Sequence, residues 1–388
     1  MTLLNQLENK RSSHPQLNQN IANHHESNML NSAIAQRLSS HRVLDSGGEY
    51  QIINDVFQAS GETKTRILDV TLISHCSVHL IKHIPALVNA WHGPMSISIF
   101  LVSSELHTAV DMLLIIHQCV PLFQKFVTVH FVLPLSHQKL TISKSSLLPI
   151  NCDEMNSDLQ KRVLGSRNYA LDGVLYPNNL LRNVALRNAL TEYHLVIDVD
   201  MLPSPNLRQL FTTFVKSQFA PNNRTAFVIP AFEMVTGGTF PQTKQHLLDL
   251  WDQGSIQPFY LKACWKCQRF TDYDSWRKLP DSDGLSPGYD VDWKDPWEPF
   301  FIASWQAPRY DERFKQYGFN RISQVCEMHV SGSHFTVLSQ AYLVHQGFKS
   351  KIQFHSSKND EQDKNRILFR RFKTELKEKY PDTDRRCY

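Results

Sequence analysis

The sequence holds no apolar run of the roughly 20 residues needed to cross a bilayer as a helix. Its best candidate, Met112 to Ile116 in AVDMLLIIHQCVPLF, is preceded by Asp111 and interrupted by His117 and Gln118, so it reads as a buried helix. The first 42 residues lack the apolar core of an export signal. They are rich in Asn, Gln, Ser and His, a composition expected to stay disordered. A strong charge of one sign is missing too. With 41 Lys and Arg against 37 Asp and Glu, scattered along the chain, the field gives no reason to expect a nucleic-acid partner. The stretch FRRFKTELKEKYPDTDRR mixes both signs and reads as a solvated helix. No repeat period appears past residue 42.

Cysteine is sparse for a disulfide scaffold. The seven are Cys76, Cys119, Cys152, Cys264, Cys267, Cys326 and Cys387, and an odd count leaves at least one unpaired. Only CWKC, Cys264 to Cys267, has a suggestive spacing. A zinc site would need a second Cys or His pair nearby, and a redox site should open a helix after a strand. A disulfide ranks first for these two, free buried thiols second and metal third. A sequon lies at Asn223 (NRT), relevant only to a chain in the secretory pathway.

What is present is an alternation of strand and helix signals. RILDVTLISHC, GPMSISIFLVS and VTVHFVLPL read as strands; SVHLIKHIPALVNAW and ELHTAVDMLLIIHQCVPLFQKF read as the helices between them. YPNNLLRNVALRNALTEY predicts a helix opening at Pro177 that feeds YHLVIDVDMLPSP. The order implies an α/β domain with a mainly parallel sheet and helices on both faces. At 41% hydrophobic residues the chain can bury a large core.

In YHLVIDVDMLPSP the apolar run ends in two acids one residue apart. Alternation along a strand puts Asp198 and Asp200 on one side and Val199 in the core, with Pro203 and Pro205 expected to stop the strand. Two converging carboxylates need a cation between them, either a basic side chain or a hard metal. In α/β sheets such a site lies beyond the carboxyl ends of the strands, where ligands bind. The chemistry suggested is a nucleoside diphosphate held through a divalent ion. Residues 206–388 are aromatic-rich and carry interspersed acids, a composition suited to sugar rings or else to a loop-covered second core. A second D-x-D, Asp290 and Asp292, follows no apolar strand and reads as a turn.

The blocks YPNNLLRN, LVIDVDMLPS, DPWEPF, YDERFKQYGFNRISQVCE and LVHQGFK together resemble glycosyltransferase family 49, from about residue 44 to the end. The resemblance implies a GT-A type nucleotide-diphospho-sugar transferase fold over 43–388, with a nucleotide-sugar half at about 43–205 and an acceptor half at about 206–388. It implies inverting transfer of glucuronate from UDP-glucuronate to a terminal β-xylose on the O-mannosyl glycan of α-dystroglycan, in the Golgi, beside other glycosyltransferases of that glycan. UDP-xylose is the competing donor. Mn²⁺ is the implied ion, with Mg²⁺ also compatible.

Asp198 and Asp200 match the family's D-x-D, and His345, after AYLV, matches its late metal histidine. His334 and His355 are less well placed. Asn178, Asn179, Arg182 and Asn183 are the candidate donor-binding residues, Arg182 for a phosphate or the donor carboxylate, or else a helix-surface ion pair. Inversion needs a base for the acceptor hydroxyl. Glu298, Asp311 and Glu327 are the candidates; Glu327 is favoured, and Asp311 is expected to pair with Arg313 or Arg321. Members of this kind carry an N-terminal membrane anchor where this chain has its polar segment. A non-catalytic carbohydrate-binding or scaffold protein of the same fold is the alternative.

Overall fold

The computed structural model describes residues 29–40, 42–61, 67–135, 151–164, 169, 174–217, 224–349 and 358–387. Asn223, His355 and most of the expected polar loop at 136–168 lie outside them.

In chain order the strands are β1 (Arg42–Leu44), β2 (Tyr50–Phe57), β3 (Ile67–Ser77), β4 (Met95–Phe100), β5 (Val127–Pro134), β6 (Thr191–Val196), β7 (Met201–Pro203), β8 (Thr225–Ile229), β9 (Ala231–Met234), β10 (Ile256–Pro258), β11 (Pro287–Asp290), β12 (Phe300–Ser304), β13 (His334–Leu338) and β14 (Leu343–Gln346). Ten form one sheet in the order β1-β2-β5-β4-β3-β6-β12-β8-β13-β11, and β10-β9-β14-β7 form a smaller one. The four central strands β5, β4, β3 and β6 run parallel, and β12 joins β6 antiparallel. One sheet therefore runs through both halves of the chain.

The principal helices are α1 (29–40), α2 (Ile84–Trp91), α3 (Leu106–Cys119), α4 (Asn178–Arg187), α5 (Leu207–Ser217), α6 (Asn320–Val330) and α7 (Lys358–Lys379). Strands β3 and β4 are buried on both faces, as parallel strands between helix layers must be. Leu180, Leu181 and Val184 of α4 pack on Phe100 and Val132 on one face. On the other, Leu87 of α2, Leu113 of α3 and Phe211 of α5 pack on Leu72 and Ile97. The α/β class with helices on both faces is thus observed.

Several local readings are corrected by backbone chemistry. The two long helical stretches each break at a proline. SVHLIKHIPALVNAW splits into a 3₁₀ turn, Val78–His83, and α2, which has Pro85 in its first turn. The second splits at Val120, ahead of Pro121, because a residue before proline is pushed out of the helical region. Residues 29–40, inside the segment expected to be disordered, are helical. Ile34 and Leu38, four residues apart, are buried in the main core there, the i,i+4 stripe of an amphipathic helix. Asp290 ends an edge strand instead of a turn.

Three disulfides are present: Cys119–Cys152, Cys264–Cys267 and Cys326–Cys387. Cys76 is the buried free thiol among the described residues. The CWKC pair is therefore a local disulfide, the first-ranked reading.

Candidate active site

Strand β6 ends at Val196, and the acids follow in a tight turn, closed by a hydrogen bond from the Met201 N–H to the Asp198 carbonyl, 3.0 Å. Val199 is buried while both acids line one cleft of about 730 Å³. The side-by-side presentation expected from strand alternation is made by a turn. Nor does Pro203 stop the strand signal: it closes β7, an edge strand of the small sheet, where a missing N–H costs no ladder bond.

The register of β7 against β14 pairs Met201 with His345. That pairing carries the His345 ring to Asp200, one residue before Met201. Nδ1 of His345 lies 2.8 Å from the Gly347 carbonyl, which fixes it as a donor, and Nε2 lies 3.0 Å from Asp200 Oδ2. Gly347 has φ +94°, a backbone conformation that glycine adopts without strain. Lys349 Nζ stands 3.7 Å from the same Asp200 oxygen. Burial alone would raise the Asp200 carboxyl, but the His345 hydrogen bond and the charges of His345 and Lys349 outweigh it and hold it well below the ordinary range.

Asp198 meets a different cation. Arg321, in the first turn of α6, donates to Asp198 Oδ1 at 2.8 Å and lies over the Phe300 ring at 4.0 Å. Burial would raise Asp198, yet Arg321 and Arg182 together keep it below its ordinary value. The cation required between the acids is supplied by protein here: a guanidinium on Asp198, an imidazole and an ammonium on Asp200. Among the described residues no three His, Cys, Asp or Glu side chains converge as a metal cluster. Two do stand together, Asp200 Oδ2 and His345 Nε2. A carboxylate beside an imidazole whose other nitrogen is already a donor is the oxygen-plus-nitrogen pair that Mn²⁺ accepts.

The NNLLRN residues divide into two roles. Asn179 donates to the carbonyls of Asp311 and Asn320 at 2.8 and 3.1 Å, and Asn183 to that of Tyr310 at 2.8 Å. Both are buried and latch α4 to the 310–320 segment. Asn178 and Arg182 line the cleft. Asn178 is tied to the Gln316 carbonyl at 2.7 Å. Arg182 is 3% exposed and bonds through Nη1 to Asn179 and Asn320 at 2.8 and 3.0 Å, while its Nε has no partner. Among the described residues it has no carboxylate ion-pair partner, and it is buried and not on the helix surface, which weighs against the ion-pair alternative.

His75 was missed by sequence reasoning. At the carboxyl end of β3, it shares a hydrogen bond of 2.8 Å with the Tyr176 hydroxyl through Nδ1, and its Nε2 is unpartnered. Burial, with the charge of Arg182, pushes its pKa down to about 3, so the ring is neutral in the working range. Two donor-capable nitrogens buried on a cleft wall without partners, Arg182 Nε and His75 Nε2, are costly unless a ligand satisfies them.

The three candidate bases separate cleanly. Glu298 lines the cleft. Its N–H donates to the Cys267 carbonyl at 3.0 Å, and Gln268 Nε2 donates to the Glu298 carbonyl at 3.0 Å, so the Cys264–Cys267 turn fixes its backbone. Burial raises its carboxyl to about 7, against the lowering pull of Arg321 and Arg182. Asp311 instead pairs with Arg313, which also reaches Glu375. Glu327 is not on the cleft; it accepts from Lys379 Nζ at 2.7 Å and the Tyr380 hydroxyl at 2.9 Å, fastening α7 to α6. Of the three, Glu298 is the one that lines the cleft, and the favoured candidate moves from Glu327 to it. Glu327→Gln weakens this clamp and should lower Tm by about 1–3 °C while leaving kcat within about twofold. A loss of kcat in a folded variant would count against the reassignment.

A family described as glycosyl-transferase for dystroglycan matches residues 69–381. Beta-1,4-glucuronyltransferase 1 of Bos taurus is 42% identical over 360 residues, covering 90% of this chain and 84% of that protein. The Homo sapiens protein of the same name is 40% identical over 358 residues, with the same shares. Xylosyl- and glucuronyltransferase LARGE2 of Mus musculus is 31% identical over 279 residues, covering 71% of this chain and 34% of that one.

Proposed function

Because the chain belongs to glycosyltransferase family 49 and is a glucuronyltransferase within it, we propose that it has the GT-A type of fold and moves glucuronate from UDP-glucuronate to the 4-hydroxyl of a terminal β-xylose, with inversion, in a Mn²⁺-dependent reaction. The observation that carries this reading is the cleft wall on which Asp200 and His345 stand together beside the Asp198–Arg321 pair, with Glu298 held ionisable near neutrality. The acceptor in this reading is the O-mannosyl glycan of α-dystroglycan; the family description, which names dystroglycan, supports it. Three disulfides suit an oxidising compartment such as the Golgi lumen.

Asp200 and His345 would hold the ion, which supplies neutralisation of the pyrophosphate as it leaves. Asp198, fixed by Arg321 through Oδ1, would leave its second oxygen for the donor's ribose. Arg182 and neutral His75 offer their free nitrogens to the donor's uronate carboxylate, a group that UDP-xylose lacks. Glu298, ionised above pH 7, takes the proton of the attacking hydroxyl. Phe259 and Tyr260, whose stacked rings lie on the cleft wall with centroids 4.1 Å apart, offer a platform for a sugar face.

The test is product formation from UDP-glucuronate and a β-xyloside with Mn²⁺, run beside UDP-xylose. We expect a β-linked glucuronyl product and preference for UDP-glucuronate. Arg182→Met should shrink that preference by about tenfold or more, mainly through donor KM, as expected when a charge-assisted contact is lost. Folded protein that prefers UDP-xylose, or forms no product, would refute the assignment.

A further inference from the structure

A second cavity, of about 560 Å³, lies away from the acid pair, between α7 and the chain's last residues. Val330 and Leu376 line it on the apolar side, and Arg370, Lys373, Lys377 and Arg386 on the polar side, with no acidic side chain among the described residues that line it. Four like charges around one hollow repel each other, and among the described residues no acidic side chain lines it to offset them. Two acids of α7 are engaged elsewhere, Asp363 with Arg366 and Glu375 with Arg313 and Arg371, and Glu378, exposed on the same helix, is not among the residues that line the cavity. No ion pair engages Arg370 or Lys377, both exposed, among the described residues. The Cys326–Cys387 disulfide ties the last residues to α6 and so fixes the cavity's far wall, where Arg386 sits.

The position of this basic cavity gives it meaning. Arg366 lines the catalytic cleft, and Arg370, Lys373 and Lys377 follow at spacings of four, three and four, which keeps them on one face of the helix. Arg366 to Lys377 spans about 16 Å at 1.5 Å per residue. A basic stripe thus leads from the rim of the active cleft to the second cavity. A glycan acceptor with its terminal sugar in the cleft must send the rest of its chain out over the rim, and the stripe marks one exit.

We propose that the Arg370, Lys373, Lys377 and Arg386 cavity is an exosite for an anionic group, phosphate or carboxylate, carried on the acceptor glycan up to about 16 Å beyond the cleft rim at Arg366. The inference rests on the acceptor being a glycan, as proposed above. The exosite positions the acceptor and takes no part in the chemistry. Its contribution is electrostatic and is screened by salt.

Three β-xylosides with a flexible tether of about 16–20 Å, ending in a hydroxyl, a carboxylate or a phosphate monoester, test it. At low ionic strength the wild-type enzyme should show a KM about tenfold lower for the anionic acceptors than for the neutral one, an advantage that fades as salt rises. A gain with both anions assigns a general anion site, and a gain with phosphate alone assigns a phosphate site. Arg370→Glu combined with Lys377→Glu should erase the advantage while leaving kcat and KM for the neutral xyloside within about twofold, with Tm unchanged. Arg370→Gln with Lys377→Gln should give an intermediate loss. Equal KM for all three acceptors overturns the exosite alone, and no transfer to any of them overturns the glycan-acceptor reading with it. Sedimentation with phosphatidylserine vesicles that the charge reversal abolishes, alongside equal acceptor KM, would mark a membrane contact and overturn the exosite as well.

Discussion

Asp200→Asn is expected to lower kcat by about 10³-fold or more, because it removes one of the two side chains placed to hold the ion. The asparagine keeps the shape and one oxygen but loses the charge. In the wild type that charge is met by His345 at 3.0 Å and Lys349 at 3.7 Å. The sign of the stability effect follows from the depressed carboxyl. A group held ionised below its unfolded pKa contributes stability that is present above about pH 4 and lost on acidification. The variant should therefore lose about 1–2 °C of Tm at neutral pH without metal, a deficit that shrinks progressively as the pH falls below about 4 toward the depressed carboxyl. Added Mn²⁺ should raise the Tm of the wild type and not of the variant. Equal activity in the variant, or an equal Mn²⁺ shift, would place the ion elsewhere.

Glu298→Gln is the second large effect. A positioned general base contributes about 10²–10⁴-fold, so kcat should fall by about 10³-fold with the KM for UDP-glucuronate little changed. In the wild type, log kcat/KM against pH should bend near pH 7 and fall on the acid side, tracking the carboxyl raised by burial to about 7. The variant should lose that bend. The stability sign is opposite to that of Asp200. A carboxyl raised in the fold contributes most below its unfolded pKa of about 4.5, and that contribution is lost as pH rises through 7. Removing the charge should raise Tm by about 1–2 °C at pH 8, a trade of stability for activity of the kind common in active sites. A pH profile flat from 6 to 8, or a variant with near-normal kcat, would remove Glu298 from this role.

The strand alternation and the acid pair were legible in the sequence because both are local. An apolar run followed by Asp198-Val199-Asp200 declares a strand end whatever the rest of the chain does. His345 was legible as the last residue of an apolar run, but its meeting with Asp200 depends on a register between β7 and β14, separated by some 140 residues of chain. No local pattern encodes that register. Glu327 misled for a related reason. It and Arg321 lie six residues apart in one block, yet on a helix that is about 120° of rotation at 3.6 residues per turn. Arg321 faces the cleft and Glu327 faces α7. Glu298 did carry a usable signal: an acid between Trp297 and Pro299-Phe300 has apolar neighbours on both sides, and burial is what raises a carboxyl. His75 sits inside an unbroken buried strand, where a histidine is more often part of the core. Its free nitrogen becomes visible only once Arg182 and Tyr176 are placed beside it.

Calorimetric titration of UDP into the protein, with Mn²⁺ and again with the metal chelated, addresses the central claim without depending on the acceptor. The account predicts that Mn²⁺ tightens UDP binding by about tenfold or more in the wild type and has no such effect in Asp200→Asn or His345→Ala. Mn²⁺-independent UDP affinity in the wild type, or full Mn²⁺ enhancement in both folded variants, would contradict it.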